Sequence, residues 1–338
     1  MSNPTILLLG GTGQIGQLTA KTLRARHPDL PLLIGGRDGS KARHVASALG
    51  NAEAVIIDPH ADDLGLGDRP IGAMAVLFAD ERLASLRYAH ARGIGHIGIS
   101  SGIYEIAPEV AVHMQKPEAA AIVLGYEWLV GATTIATLTS AKAYARLDTI
   151  RIGALVDEQD QGGPAVAEDF ERLASVMPSI LARKDGAFVW RKGDEAHSSF
   201  RAIDGTVIPA SGFSSIDIAG LAAATGARDI VFAIGTGISS SRRAGGAKST
   251  EIIIELSGLD ATGAPLHSRH AVVHPGGAAP LTALGVSMVL ERLAGLDGKP
   301  AMRAGLFFPY QLLDHADYLG RLTQEGGQLM ALPSHDTP

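Results

Sequence analysis

Residues 5–16 read Thr5-Ile6-Leu7-Leu8-Leu9-Gly10-Gly11-Thr12-Gly13-Gln14-Ile15-Gly16. A four-residue apolar run ends in glycines, and a helical pattern opens directly behind them. The spacing Gly11-x-Gly13-x-x-Gly16 is the dinucleotide-binding fingerprint. Gly11 allows the tight turn, Gly13 lets backbone approach a pyrophosphate, and Gly16 lets the helix lie close to the strand. The N–H groups at that helix start, across Thr12, Gly13, Gln14 and Ile15, face the phosphates. A Gly-x-Gly-x-x-Gly is weak by itself; the strand-like run before it and Ile15, Leu18, Thr22 and Leu23 after it supply the context.

Working outward, Pro31 to Ile34 reads as a second strand that runs into Gly35-Gly36-Arg37-Asp38. A site selective for NAD places a carboxylate about 20 residues past the glycine loop, on the ribose hydroxyls. Here that strand end holds glycines and then Arg37, whose guanidinium can grip a 2′-phosphate and stack on adenine. Lys41, one helical turn on, adds positive charge. The pattern favours NADP(H) over NAD(H), with Asp38 keeping NAD open and a solvated helix start as the plainer reading of Arg37 and Lys41. A helix with Ala42, Val45, Ala46 and Leu49 inward leads to a third strand, Glu53 to Ile57. Asp58 at its end either accepts from the adenine amino group or caps the next turn.

Ala73 to Phe78 and His96 to Ile99 are strands four and five, with a helix from Asp80 to Arg92 between them that turns Leu83, Leu86 and Ala89 inward. Phe78, Ala79, Ser100, Ser101 and Gly102 then fall at the carboxyl ends of strands, where open α/β sheets bind ligands, and are candidates to line the nicotinamide ribose. Ala121 to Leu124 is a sixth run. The alternation implies a Rossmann-type doubly wound parallel sheet.

From Trp128 the texture changes. A helix is expected to about Tyr144, then strands at Thr149–Val156, Ala187–Arg191, Ile230–Ile234, Glu251–Leu256 and Leu266–Val273, the last two a hairpin through Asp260-Ala261-Thr262-Gly263. Between the first two, Val166, Phe170, Leu173, Ala174, Met177 and Leu181 form one helical stripe, which Pro178 would bend. This predicts a second, α+β domain with a mixed or antiparallel sheet over 128–275. Leu281 to Leu293 is apolar on several faces, as a buried helix would be. A last helix follows Pro309 with Leu312, Ala316 and Leu319 inward. The segment 276–338 is expected to return to the first domain, 1–127.

The chain has 338 residues, 29 basic against 35 acidic side chains, and no cysteine. A net charge of −6 argues against a nucleic-acid surface. The missing cysteines exclude disulfides, thiolate metal sites and a Cys nucleophile, and with the last the phosphorylating semialdehyde dehydrogenases. No run reaches the ~20 apolar residues of a membrane span. Strand one begins almost at the N-terminus, leaving no room for a signal peptide, so the cytoplasm is the expected compartment.

Ile-Leu-Leu-Leu-Gly-Gly-Thr-Gly-Gln-Ile-Gly, Ile-Gly-Gly-Arg-Asp-Gly-Ser-Lys-Ala at the adenosine end, and His-Ile-Gly-Ile-Ser-Ser-Gly at strand five together resemble the saccharopine dehydrogenase-like reductase family. So do Leu281 to Gly295 and Gly305 to Leu322, with their Pro309 and Leu313-Asp314. The resemblance implies an NADP(H) domain, a sheet domain for substrate and homodimer contacts, and reduction of a small carbonyl, imine or amino-acid-like substrate. An enoyl-type reductase acting on an activated C=C is the alternative, and a non-catalytic NADP(H)-binding regulator the alternative of another class. The chain departs from the family at Leu77-Phe78-Ala79-Asp80-Glu81-Arg82, where many relatives carry a Gly-Pro turn.

Candidate acid–base groups are few. None of the six tyrosines has Lys at +4, which argues against the short-chain dehydrogenase mechanism. Tyr104 follows strand five and could donate a proton, with a tyrosine packed so that its hydroxyl reaches the surface as the plainer and favoured reading. Glu127, at the predicted domain junction, is either a buried acid or a helix-start carboxylate, the second being favoured. His270 and His274 lie on a strand, roughly 13 Å apart at about 3.3 Å per residue, too far to share a metal ion. No metal is expected. His274 is a candidate acid–base or substrate contact, with a partly exposed edge histidine as the plainer reading. Gly235 to Lys248 reads as a flexible, solvated loop whose Arg242 and Arg243 could clamp an anion.

Overall fold

The computed structural model of the chain describes residues 4–160, 162–176 and 179–333. Its first apolar run is β1 (Ile6–Leu9), with every side chain buried. α1 (Gln14–Arg26), β2 (Leu32–Gly36), α2 (Gly39–Leu49) and β3 (Ala52–Ile56) follow. β4 (Ala73–Val76), α3 (Ala84–Arg92), β5 (Gly95–Gly98), α4 (Ile106–Gln115) and β6 (Ala121–Leu124) repeat the alternation. β1, β4, β5 and β6 are buried throughout, as strands covered on both faces must be. α1 buries Gly16, Thr19, Ala20 and Leu23. Ile15, Leu18 and Thr22 stay half-buried, because small residues hold the contact line and wider side chains flank it. The helix expected from Asp80 starts only at Ala84: Leu83 has φ +53°, and the Asp80 carboxylate accepts from the N–H groups of Ala84 and Ser85.

After Glu127 the chain builds α5 (Ala132–Ala141), β7 (Arg146–Asp157), α6 (Pro164–Val176), β8 (Ile180–Lys184), β9 (Ala187–Arg191) and β10 (His197–Arg201). Then come β11 (Val207–Gly212), α7 (Asp217–Thr225), β12 (Asp229–Gly237), α8 (Ser240–Arg243), β13 (Thr250–Leu259) and β14 (Pro265–His274). α5 starts later than expected because Leu129, Val130 and Gly131 all take positive φ, which interrupts a helix. α6 does not reach Leu181, which is buried in β8; Met177 and Pro178 lie outside the described residues. The chain closes with α9 (Ala278–Ala294), β15 (Gly305–Phe307), α10 (Pro309–Leu312), α11 (His315–Gln324) and β16 (Gln328–Leu332).

The strands form two sheets. The first is wholly parallel, in the order β3-β2-β1-β4-β5-β6-β15, the doubly wound arrangement with its switch point between β1 and β4. The second is mixed, ordered β10-β11-β12-β7-β13-β14-β16, with β8 joined to β12 and β9 to β8. β12 and β7 are its parallel pair, and β13 and β14 are the hairpin read from Asp260 to Gly263. Among the described residues, no helix is long and apolar enough to cross a membrane.

The chain divides into two compact units, Met1–Tyr126 with Thr282–Leu313, and Glu127–Leu281 with Asp314–Pro338. α9 is buried along nearly its whole length on every face, as its sequence implied. The tail corrects the expectation for 276–338. β16 pairs antiparallel with β14, from Arg269↔Leu332 to Val273↔Gln328, covering an edge whose N–H and C=O groups would otherwise lack partners. α11 buries Tyr318, Arg321 and Leu322 rather than Leu312, Ala316 and Leu319. The reason is a break at Leu313, after which Asp314 caps a new helix by accepting from the N–H of Asp317 at 2.9 Å.

In the second unit, Asp217 has no exposed surface. Its carboxyl accepts from the Trp128 N–H at 2.7 Å and from the Ser215 hydroxyl. Burial pushes its pKa up to about 6, against the pull of those bonds. The native state therefore holds a proton that the unfolded chain releases from about pH 4 upward, so this group lowers stability as pH rises through the window. The loss is on the order of 2–3 kcal/mol. Urea unfolding of wild type should show its midpoint falling between pH 4 and 7, with Asp217→Asn much flatter; equal slopes would refute the assignment.

Candidate functional site

The glycine loop has the geometry that its spacing implies. Gly11 N–H donates to the Leu8 carbonyl at 3.1 Å, closing the turn after β1, and Gly13 N–H donates to the Gly10 carbonyl at 2.9 Å. A Cβ on Gly16 would lie 2.6 Å from both the Gly10 carbonyl oxygen and the Gly11 Cα, so only glycine fits that crossing. α1 begins after Gly13 without a capping side chain and without an acid in its first turn. Gly13 and Gln14 are exposed, and Thr12 and Ile15 are half-buried. The first N–H groups of α1, with the positive end of its dipole, are therefore open to an anion.

At the end of β2, Gly36 stands where a ribose-binding carboxylate would project, and a Cβ there would come within 3.4 Å of the Thr12 side chain. Asp38 is engaged elsewhere. Its Oδ1 accepts from the N–H groups of Ser40 at 2.9 Å and Lys41 at 3.1 Å, capping α2. The Lys41 N–H bond leads the effects that hold this carboxyl below its ordinary pKa. Arg37 and Lys41 are exposed, and Arg37 makes no ion pair among the described residues. Asp58 accepts from the His60 N–H at 2.9 Å, the turn-capping reading, and its carboxylate is exposed.

Past the switch point, the carboxyl ends of β4, β5 and β6 surround a small cavity of about 20 Å³. Phe78, Asp80, His96, Ser100, Ser101, Glu109 and Tyr126 are among its lining residues. The Glu109 carboxyl is 4% exposed. Its Oε1 accepts from the Ser101 hydroxyl at 2.7 Å, and its Oε2 accepts from the Tyr126 phenol. Burial raises the pKa of Glu109 and drives that of Tyr126 well up. Gly98 makes the room: a Cβ there would sit 2.9 Å from the Tyr126 oxygen. His96 is 4% exposed, and neither ring nitrogen has a hydrogen-bond partner. Burial pushes its pKa down to about 4, so it is neutral near pH 7. Opposite it, Asp80 is occupied by the start of α3 through the N–H groups of Ala84 and Ser85 and the Ser85 hydroxyl.

Of these, Phe78, Ser100 and Ser101 are legible in the sequence as strand-end candidates, while Ala79 is not among the lining residues; no local pattern assigns a role to His96 or Glu109. A signal existed for Glu109, the one charged residue of the apolar helix Ile106–Gln115 other than His113. Tyr104 is half-buried in the turn before α4, next to Glu105, whose carboxylate accepts from the Gly102 N–H at 2.6 Å. Glu127 does not start a helix: its carbonyl accepts from Val130 N–H in a turn, its side chain is 3% exposed, and α5 begins five residues later. His274 is no exposed edge residue either. It is 5% exposed on a strand flanked by β13 and β16, its Nδ1 accepts from the Gly276 N–H at 2.9 Å, and burial lowers its pKa.

The segment from Gly235 to Lys248 corrects the reading of a solvated loop. Gly235 to Gly237 end β12, Ser240 to Arg243 form α8, and the cations are paired. Arg242 meets Asp157 at 2.7 Å, Arg243 grips both oxygens of Asp204 at 2.6 and 2.8 Å, and Lys248 meets Asp160 at 2.9 Å. These arginines brace the second sheet rather than wait for an anion. Among the described residues, no group of three or more His, Asp or Glu side chains could hold a metal ion.

No protein-family model matches the sequence, and no curated protein matches it. Solved structures do. Saccharopine dehydrogenase (L-Glu forming) from Saccharomyces cerevisiae superposes with a TM-score of 0.64 at 13% identity, over 98% of this chain and 100% of that one. The amine dehydrogenase from Mycobacterium smegmatis gives 0.52 at 13% identity, over 93% of this chain and 97% of that one. The chain thus has a saccharopine dehydrogenase-like fold: a Rossmann-type parallel sheet and a second, mixed sheet.

Gly16→Ala tests the crossing of strand and helix. The added methyl meets backbone rather than a movable side chain, so the variant should lose about 1–3 kcal/mol in urea unfolding, the usual cost of overpacking. A variant as stable as wild type would show that the close approach is not needed.

Proposed function

We propose that the protein is an NADP(H)-dependent oxidoreductase that reduces a small carbonyl, imine or amino-acid-like substrate. The observation that carries this reading is the end of β2, where glycine replaces the ribose-binding acid, Asp38 is spent on a helix cap, and Arg37 is exposed with no ion pair among the described residues. A guanidinium there suits a 2′-phosphate, while a carboxylate for the 2′-hydroxyl is missing from the expected place. The open N-terminus of α1 fits the pyrophosphate. The second half of the sheet, with Phe78 and Ser100 at its strand ends, lies where the nicotinamide half of a dinucleotide belongs.

A reduced nicotinamide supplies hydride, so the chain has only to bind, orient and provide a proton. Saccharopine dehydrogenase and the amine dehydrogenase, which share the fold, carry dehydrogenase names, which agrees with redox chemistry. Tyr104 and His274 remain proposals as acid–base groups, and Glu127 as a buried acid.

Titrating NADPH and NADH against wild type and Arg37→Ala tests the reading. Losing one charge-assisted phosphate contact costs about 1.5–3 kcal/mol, so NADPH affinity should fall roughly ten- to a hundredfold while NADH affinity stays. Equal, unaltered binding of both would remove Arg37 from the site, and failure of wild type to bind either would end the oxidoreductase reading.

A further inference from the structure

The cavity at the ends of β4, β5 and β6 raises a question that a packing role leaves unanswered. An acid and an imidazole, each 4% exposed, line a space with room for about one water molecule, and among the described residues no cation pairs with the acid. Two other buried carboxylates, Asp157 and Asp160, are paired with Arg242 and Lys248, whereas Asp217, like Glu109, meets no cation among the described residues. Glu109 has only hydroxyl partners, Ser101 at 2.7 Å and Tyr126. A buried carboxyl without a counter-ion is more stable protonated.

We propose that Glu109 is the proton store of the reductase and delivers its proton through Ser101, which lies at the end of β5 on the nicotinamide side of the switch point. This rests on the nicotinamide reading given above. Protonated Glu109 donates from Oε1 to the Ser101 oxygen, and the Ser101 hydroxyl turns outward to donate to the substrate. A hydroxyl both accepts and donates, so the chain Glu109–Ser101–substrate is continuous. As the substrate carbon gains hydride, its oxygen or nitrogen takes the Ser101 proton. Ser101 takes the Glu109 proton, and Glu109 is left as a carboxylate held by the Tyr126 phenol. One hydride and one proton reach the substrate; the store refills from water. Ser101 is the catalytic residue, and Tyr126 a positioning residue.

The groups around Glu109 favour the neutral acid. Burial acts first, and the charges of Glu105, which precedes α4, and Asp80, in the turn before α3, act in the same direction. His96 on β5 is held neutral by burial. His113, one turn further along α4, packs its ring edge-on against His90 of α3. Only the Tyr126 and Ser101 hydrogen bonds pull the other way.

The test needs no substrate. The oxidised nicotinamide ring is a cation and the reduced ring is not. Seated by Ser101, the cation favours ionised Glu109, so NADP⁺ binding should expel a proton that NADPH binding leaves in place. Calorimetric titrations in buffers of different ionisation enthalpy, over about pH 5 to 8, count that proton. The expected result is release with NADP⁺, its loss in Glu109→Gln, and a shift of its midpoint to higher pH in Tyr126→Phe, because the phenol no longer stabilises the carboxylate. A merely structural Tyr126 would leave the midpoint where it is. Nucleotide binding without proton release, or release that survives in Glu109→Gln, overturns the proposal. Should Glu109→Gln fail to fold, the Tyr126→Phe midpoint decides. If neither nucleotide binds wild type, it is the cofactor reading that has failed.

Discussion

The approach of α1 to β1 at Gly16 is the constraint on which the first unit depends. With no side chain between them, the helix meets the backbone of Gly10 and Gly11 directly, and its buried face narrows to Gly16, Thr19, Ala20 and Leu23. That closeness aims the N-terminus of α1 along the carboxyl ends of the strands, uncapped. It also seats the first βαβ crossover, from which a parallel sheet grows in one hand. A bulkier residue would tilt the helix and close the anion site together, so stability and binding share one atom-scale requirement.

Acids in this chain meet two kinds of setting. Beside the Gly235–Lys248 segment, Asp157, Asp160 and Asp204 each meet a cation. Burial alone would raise the pKa of Asp157, yet its bonds to Ser239, Gln159 and Arg242 hold it down at about 2. The Arg243 fork keeps Asp204 lower still. Such pairs stay ionised and tie α8 to β7 and to the turn between β10 and β11. Glu109 in the first unit and Asp217 in the second meet no cation among the described residues, and burial raises the pKa of both. A carboxyl is thus held ionised or pushed towards the neutral acid according to what stands beside it.

Much of the architecture was legible because it rests on local rules. Ile6 to Leu9 and Ala121 to Leu124 could only be buried strands, and the Asp260 to Gly263 turn could only join a hairpin. The misreadings also have physical causes. Ala187 to Arg191 reads as a strand in the sequence, but its partner β8 reads as the end of a helix, because Leu181 keeps the helical period of the stripe before it. β10, β11 and β16 are short and partly exposed, so they carry little apolar alternation. β16 is a strand chiefly because β14 offers it an open edge. Leu129 and Val130 gave no warning of positive φ, since only the folded chain holds β-branched and bulky residues in that conformation.

By itself the sequence determined the doubly wound sheet, the glycine loop, the glycine-then-arginine end of β2, and a second region of hairpin-paired strands. Each follows from periodicity or from a backbone requirement that a few adjacent residues meet. Tertiary structure alone decided the partners of the ionisable groups. Asp38 is taken up in capping α2, Arg242 and Arg243 pair with Asp157 and Asp204, and Glu127 starts no helix, since α5 begins five residues after it. Glu109, Ser101 and Tyr126 are 8 and 17 residues apart along the chain, on elements that meet only where β5 and β6 end. A proton's affinity depends on the atoms around it and on the water removed, and those are set by packing rather than by sequence neighbours.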